Sequence, residues 1–138
     1  MPSLMNYRML RAGASVEVPD FIWSPDGLGI QAGSVECLVM SLIWSVTKDN
    51  LGYFADTQGN IAARFNVSRK AVNGALRDLV DKGYVDVVGV IGNPRTGVRK
   101  YVINREAVGD AIMRMAGYTV DMTIEPDGTV HRPAVAVG

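Results

Sequence analysis

One face of the segment from Arg69 to Lys82 carries polar and small side chains in helical spacing. If Val72, Leu76 and Leu79 point into a core, the opposite face presents two cations, an amide and a glycine. These residues are Lys70, Asn73, Gly74 and Arg77. Asparagine can pair bidentately with adenine and arginine with guanine, so Asn73 and Arg77, with Lys70, would contact base edges if the partner is DNA. Gly74 permits close approach to DNA, or is simply a tolerated glycine on a solvated face.

Neighbouring cations have the chemistry of phosphate contacts. Arg69 is expected at a helix N-terminus, and Arg99 and Lys100 lie in a β-rich run where they can contact the backbone. Arg95 lies in a glycine-rich turn, from which it can enter the minor groove. Ser68 is expected to cap the helix, and it can also contact phosphate there.

The charge distribution is uneven although the chain is neutral overall. Residues 64 to 105 include nine basic and three acidic residues, a net charge of +6 that the rest of the chain balances. Such an asymmetry suits a polyanionic partner, although a solvated charged face is the alternative. Asp78 and Asp81 lie in the same helix, and we expect both to face away from phosphate.

Several kinds of catalytic or cofactor site are disfavoured. His131 is the single histidine, so neither a Ser/His/Asp triad nor a multi-histidine metal site can be assembled within one chain. Cys37 has no partner for an intramolecular disulfide. The residues 27 to 32 fit a loose dinucleotide-loop pattern, but a turn precedes them instead of a buried strand. We therefore expect no enzymatic activity, no cofactor and no metal.

Apolar periodicity and capping residues predict the elements that position these side chains. Three helices are expected, over Val35–Val46, Gln58–Phe65 and Arg69–Lys82. Thr57 and Ser68 supply N-cap oxygens, and Asn66 can take the left-handed conformation that ends the second helix. The first helix is also apolar on its second face, which the chain's own termini or a second subunit must cover.

The remaining segments are predicted to be mainly extended. An extended lead-in is expected to pack through Phe21, Ile22 and Trp23, after a Val16–Val18 alternation. The later elements are two strands, a hairpin tip, a helix, a strand, a turn and a returning strand. The two strands are Tyr84–Ile91 and Val98–Ile103, with the hairpin tip Gly92–Gly97 between them. The helix is Glu106–Ala116, followed by the strand Tyr118–Glu125, the turn Pro126–Gly128 and the returning strand Thr129–Arg132. No stretch reaches the roughly 20 apolar residues that span a bilayer, and no signal peptide is recognised, so we expect a cytoplasmic protein.

The segment from Thr57 to Leu79 resembles the helix-turn-helix of winged-helix DNA-binding proteins. Its apolar positions match that motif at Ile61, Ala62, Val67, Val72 and Leu76. The match continues through Leu79, Gly83, Tyr84 and Val85 into the hairpin, so it covers about residues 31 to 105. The lead-in Val18–Ile22 is similar to that of phage and plasmid replication initiators; MarR and GntR regulators are more distant comparisons.

The resemblance implies an α+β fold with a three-helix core and a β-hairpin wing, followed by an appended helix and β-hairpin. The domains would be a lead-in over 1–30, the winged helix-turn-helix over 31–105 and an extension over 106–138. It implies a double-stranded DNA-binding transcriptional regulator or replication accessory factor. The recognition helix 69–82 would enter the major groove, and the wing 84–103 would contact the backbone and minor groove.

The expected assembly is a homodimer on symmetric half-sites. Its surface would be the second face of helix 35–46, or the C-terminal helix with the strand after it. Two alternatives keep the fold without direct DNA readout: a protein-interaction module, and a ligand-responsive sensor. The sensor would have its pocket between the C-terminal elements and the first helix, where Met113, Met115, Tyr118 and Met122 could line it, unless they pack in the core.

Overall fold

The computed structural model describes residues 15–48, 52–125 and 129–131. Within these ranges the fold is mixed α+β, with five helices and two antiparallel sheets. In chain order the elements are β1 (Val16–Pro19), α1 (Asp20–Trp23), α2 (Val35–Thr47), α3 (Gln58–Phe65), α4 (Arg69–Asp81), β2 (Val85–Ile91), β3 (Val98–Ile103), α5 (Arg105–Arg114), β4 (Val120–Ile124) and β5 (Val130–His131). The predicted turn Pro126–Gly128 lies outside the described residues. None of the described helices is long and apolar enough to cross a membrane.

Side-chain oxygens fix the beginnings of the four longer helices. Each accepts a hydrogen bond from the backbone N–H three residues later, at 3.0 to 3.1 Å. The capping residues are Ser34, Thr57, Ser68 and Asn104. Asn66 ends α3 in the left-handed conformation with φ 53°. The predicted caps at Thr57, Ser68 and Asn66 are therefore confirmed, and they set the short turn between α3 and α4.

The core is built around α2. Its two faces are both buried: Val39 and Leu42 on one side, and Cys37 and Met40 on the other, are all 0 % exposed. The chain itself covers the second face, because the ring of Phe21 lies 5.0 Å from that of Trp44 in a T-shaped contact. Of the two covers expected for this face, the chain's own termini are the one found. Cys37 and Met40 are therefore covered within one chain, while Trp44 on the same face is half-buried.

A sheet of order β1–β4–β5 joins the two ends of the described chain. Val16 pairs with Ile124 and Val18 with Met122, and these four side chains are buried. The Asp20 carboxylate accepts hydrogen bonds from the backbone N–H and the hydroxyl of Thr119, both at 3.1 Å. The predicted lead-in is therefore extended only over β1, and one helical turn follows it at α1.

The β2–β3 hairpin lies beside α4. Its register runs from Val85 opposite Ile103 to Ile91 opposite Val98, and a bulge interrupts it between Val87 and Gly89. Phe54 adds a backbone bridge to β3, with two 2.8 Å hydrogen bonds to Tyr101. At the hairpin tip a side chain on Gly97 would collide with the Ile91 carbonyl oxygen, so the tight return requires glycine.

Candidate nucleic-acid interface

Helix α4 presents the face that its apolar spacing predicts. Its buried residues are Val72, Ala75, Leu76 and Leu79. Lys70 and Arg77 are exposed, and Asn73 and Gly74 are half-buried. The hydroxyl of Ser68 accepts a hydrogen bond from Ala71 N–H at 3.0 Å, so this oxygen serves the helix itself. One side of α4 is thus held by the core while the other is open.

The Cα atom of Gly74 faces open space on the surface of α4. A methyl group built at its Cα meets no other atom within 4 Å. The packing of this chain therefore does not require glycine at position 74. The missing side chain leaves the middle of α4 accessible to a partner that approaches its backbone.

The amide of Asn73 is oriented by a side chain from another helix. Gln58 Nε2 donates a hydrogen bond to Asn73 Oδ1 at 3.1 Å. The Nδ2 group of Asn73 can still donate a hydrogen bond, and the second lone pair of Oδ1 can still accept one. Adenine requires this combination of one donor and one acceptor. Gln58 is not predicted from the sequence, because a contact between α3 and α4 leaves no periodic signal within either helix.

A cleft of about 310 Å³ lies between the start of α3, the face of α4 and the hairpin tip; we call it the tip cleft. It brings four predicted site residues together: Arg69, Asn73, Arg95 and Arg99. Arg69 extends over the first turn of α3, where its Nε lies 3.8 Å from the position of a Cβ on Gly59. The side chain of Asn93 accepts a hydrogen bond from Arg95 N–H at 2.8 Å and shapes the turn that carries this arginine.

A second cleft of about 300 Å³, the stem cleft, adjoins the first along α4. Four residues line both clefts: Asn73, Leu76, Arg99 and Tyr101. Arg77 and Val87 line the stem cleft alone. Together the two clefts form a continuous depression between α4 and the hairpin, which we call the helix–hairpin groove.

Asp81 also lines the stem cleft, beside Arg77 and Arg99. The prediction that both acidic residues of this helix face away from the cationic surface is therefore wrong for Asp81. Its position four residues after Arg77 returns it to the same helix face. Asp78 is exposed but lines neither cleft.

Lys100 is separated from the other predicted site residues. Its ammonium lies 4.7 Å from the ring centroid of Tyr53, in a cation–π contact. Its stem lies 3.5 Å from the position of a Cβ on Gly89, which is its partner across the hairpin. Successive side chains of a strand point to opposite faces, so Lys100 and Arg99 cannot both face the groove.

The phenol of Tyr101 lies at the floor of the groove and is 4 % exposed as a residue. Burial raises the pKa of Tyr101 above its ordinary value, and the neighbouring Arg99 cation acts in the opposite direction. The side chain is consequently a neutral hydroxyl at physiological pH. It offers a partner hydrogen bonding without a negative charge.

Exposed cations surround the groove: Arg69, Lys70, Arg77, Arg95 and Arg99. In the described part of the chain, none of them forms a salt bridge. Lys82, by contrast, donates to Glu36 at 2.6 Å, and this hydrogen bond raises the pKa of Lys82. Arg64 is buried near the ring of Phe65, so it adds nothing to the exposed charge. The positive surface is thus narrower than the sequence count indicates, and it is centred on the groove.

Among the described residues, no group of three or more histidine, cysteine or acidic side chains is placed to hold a metal ion. Compared with protein-family models, with curated proteins and with solved structures, the chain matches none.

Proposed function

We propose that residues 31–105 form a winged helix-turn-helix and that the protein binds double-stranded DNA through the helix–hairpin groove. The observation that carries this proposal is the set of exposed cations on both sides of that groove, on α4 and on the hairpin, none of which forms a salt bridge with a described residue. Phosphates are the most abundant anionic groups on a duplex, and they supply most of the affinity of such proteins.

The order of elements supports the winged-helix assignment. Three helices, α2, α3 and α4, are followed by the β2–β3 hairpin, and Phe54 between the first two helices bridges to β3. A short turn at the left-handed Asn66 joins α3 and α4, and the two helices pack against each other, which supports a helix-turn-helix. The hairpin then corresponds to the wing.

In the proposed complex, α4 enters the major groove. This groove is about 12 Å wide and admits one helix. Asn73 and Arg77 then contact base edges, with Lys70 beside them. Arg69 and Arg99 contact phosphates, and Arg95 at the hairpin tip reaches the minor groove. Lys100 contacts DNA only if the sugar–phosphate backbone passes along the outer face of the hairpin.

The biological role follows from this binding. We propose a transcriptional regulator or a replication accessory factor. The ligand-sensor alternative has less support, because Met122 and Ile124 are packed in the core where its pocket would lie, and Met113 is 79 % exposed.

Selection from a pool of random duplexes tests the proposal. The protein is incubated with the pool at low salt, and bound DNA is amplified and sequenced over successive rounds. We expect enrichment of a short sequence whose preferred bases change in Asn73→Ala and Arg77→Ala. Failure to retain any duplex at low salt would remove the proposed function.

We further propose that the protein acts as a homodimer through its C-terminal surface. Four of the exposed large apolar residues lie in α5 or in the segment that follows it: Met113, Tyr118, Val120 and Val130. Sedimentation equilibrium is expected to show a dimer that Val120→Lys weakens. A monomer mass at every concentration would contradict this arrangement.

A further inference from the structure

Three arginine residues from different elements line the tip cleft. Arg69 comes from the start of α4, Arg95 from the hairpin tip and Arg99 from β3. All three are exposed, and none forms a salt bridge with a described residue. Like charges around one cavity repel each other, and an anion between them relieves that repulsion.

Among the described residues, the acidic residue that lines the tip cleft is Asp56, and one of its two carboxylate oxygens is engaged. Asp56 Oδ1 accepts hydrogen bonds from Thr57 N–H and from Asn60 Nδ2, both at 2.8 Å. These bonds hold the carboxylate at the start of α3, where it organises the first turn of that helix. Asp56 Oδ2 is buried without a described hydrogen-bond partner, and Asp81 adjoins Arg99 in the stem cleft. Neither carboxylate forms a salt bridge with the three arginines among the described residues, so three cations face one negative charge in the tip cleft.

The local structure around each of the three arginines positions its side chain at the cleft. Arg69 lies beside Gly59 of α3, with its Nε 3.8 Å from the position of a Cβ there, and the turn at Asn93 and Gly97 carries Arg95 beside the cleft. Strand alternation places Arg99 on the face of β3 that looks toward α4. A single anion would thus connect α3, α4 and the hairpin.

We infer that the tip cleft is a site for one phosphate group, held jointly by Arg69, Arg95 and Arg99, so that Arg95 contacts this phosphate instead of the minor groove. Guanidinium groups match phosphate oxygens with paired hydrogen bonds, and arginine binds them better than lysine where geometry is fixed. This inference rests in part on the proposed function, because a backbone phosphodiester of DNA is one source of the group. A free phosphorylated small molecule is the other source.

Two probes distinguish these sources. ¹⁵N-labelled protein is titrated with dimethyl phosphate, a diester, and separately with inorganic phosphate, at constant ionic strength set with chloride. The signals followed are the arginine Nε–H groups. We expect saturable shifts at all three cleft arginines, and we expect Arg99→Gln to abolish saturation at the other two. Lys48→Gln, at the end of α2, is the control that leaves the titration unchanged.

Saturation by the diester indicates a seat for the DNA backbone, and saturation by inorganic phosphate alone indicates a free phosphorylated ligand. Shifts that do not saturate with either probe overturn the inference. This outcome is separate from the proposed function, since duplex binding is measured without these probes. Conversely, a saturable titration in a protein that binds no duplex would leave the cleft as a site for a small phosphate compound.

Salt dependence supplies a second readout with DNA. The slope of log affinity against log salt is negative. If one phosphate is shared, replacing all three arginines by glutamine reduces the magnitude of this slope by about 1. If each arginine has its own phosphate, the magnitude falls by nearly three times as much, about 0.9 per phosphate. The larger fall would overturn the shared site.

Discussion

Among the predicted site residues, Arg99 and Asn73 line both clefts, Arg99 from the hairpin and Asn73 from α4. Lys100 and Tyr101, which follow Arg99 in β3, show how closely function depends on strand register. Lys100 stacks on Tyr53 at the back of the hairpin, while Tyr101 forms the groove floor. A list of basic residues cannot separate Arg99 from Lys100, whereas alternation along β3 can. The sequence therefore predicted the types of residue at the site better than their grouping.

Replacing Gly74 by alanine tests whether a partner approaches the backbone of α4. The free protein should gain up to about 1 kcal/mol of unfolding free energy, because the methyl group enters open space and alanine favours helix. Duplex affinity should fall several-fold, because the same methyl group would obstruct the docked DNA. Urea unfolding and fluorescence anisotropy measure the two effects.

Gly109→Ala is the matched control, since Gly109 is also helical, also open and lies in α5. It should raise stability similarly and leave duplex affinity unchanged. Equal affinity in the two variants would mean that DNA does not approach α4 at Gly74.

Asp81→Asn removes a negative charge from the stem cleft. We expect a several-fold gain in affinity for all duplex sequences at low salt, because a carboxylate beside the proposed path of the DNA repels phosphate, and the gain should shrink as salt rises. Asp78→Asn, on the same helix but outside both clefts, is the control and should have a smaller effect. An equal gain in the two variants would place the DNA elsewhere.

At the scale of elements, the helices were predictable because their signals are local. Thr57, Ser68 and Asn66 lie within a few residues of the ends that they set, and apolar spacing identified the buried side of α4. The last long helix was less well predicted: α5 runs from Arg105 to Arg114 and not from Glu106 to Ala116. Ala116 has a left-handed φ of 57°, which ends the helix before Gly117.

The cap of α4 should matter for stability. Ser68→Ala removes the hydroxyl that accepts from Ala71 N–H, and we expect it to lower the free energy of unfolding by about 1 kcal/mol. Ser68→Asn retains a capping oxygen and should restore most of the loss. Urea denaturation of the three proteins makes the comparison. No difference between the alanine and asparagine variants would show that this hydrogen bond contributes little.

At the scale of the whole molecule, the pairing of β1 with β4 was not predictable from the sequence. The two strands were recognised separately, but nothing local indicates which strands pair across about a hundred intervening residues. This pairing places Val16, Phe21 and Ile22 in the same core as α2. The division of the chain at residues 30 and 105 stays a prediction, and we expect the segment 31–105 to be unstable without its flanks.

Phe21→Ala tests the contribution of the N-terminal segment to the core. Phe21 is 0 % exposed and packs against Trp44 and Tyr118, so its truncation should cost about 3 to 5 kcal/mol of unfolding free energy. Glu17→Ala, on the exposed side of β1, should change stability by no more than about 0.5 kcal/mol. A small loss in both variants would indicate that the lead-in is dispensable for folding.

The proposed binding of duplex DNA by the helix–hairpin groove is tested most directly by fluorescence anisotropy of short random duplexes at several salt concentrations. Duplex affinity is measured for the wild type and for a double charge reversal, Arg77→Glu with Arg99→Glu. Lys48→Glu with Lys82→Glu carries the same change in net charge outside the groove and serves as the control. We expect the wild type to lose affinity with a log–log slope of about −3 to −5, corresponding to three to five phosphates. The groove variant should lose nearly all affinity while the control retains most of it; unchanged affinity in the groove variant would contradict the claim.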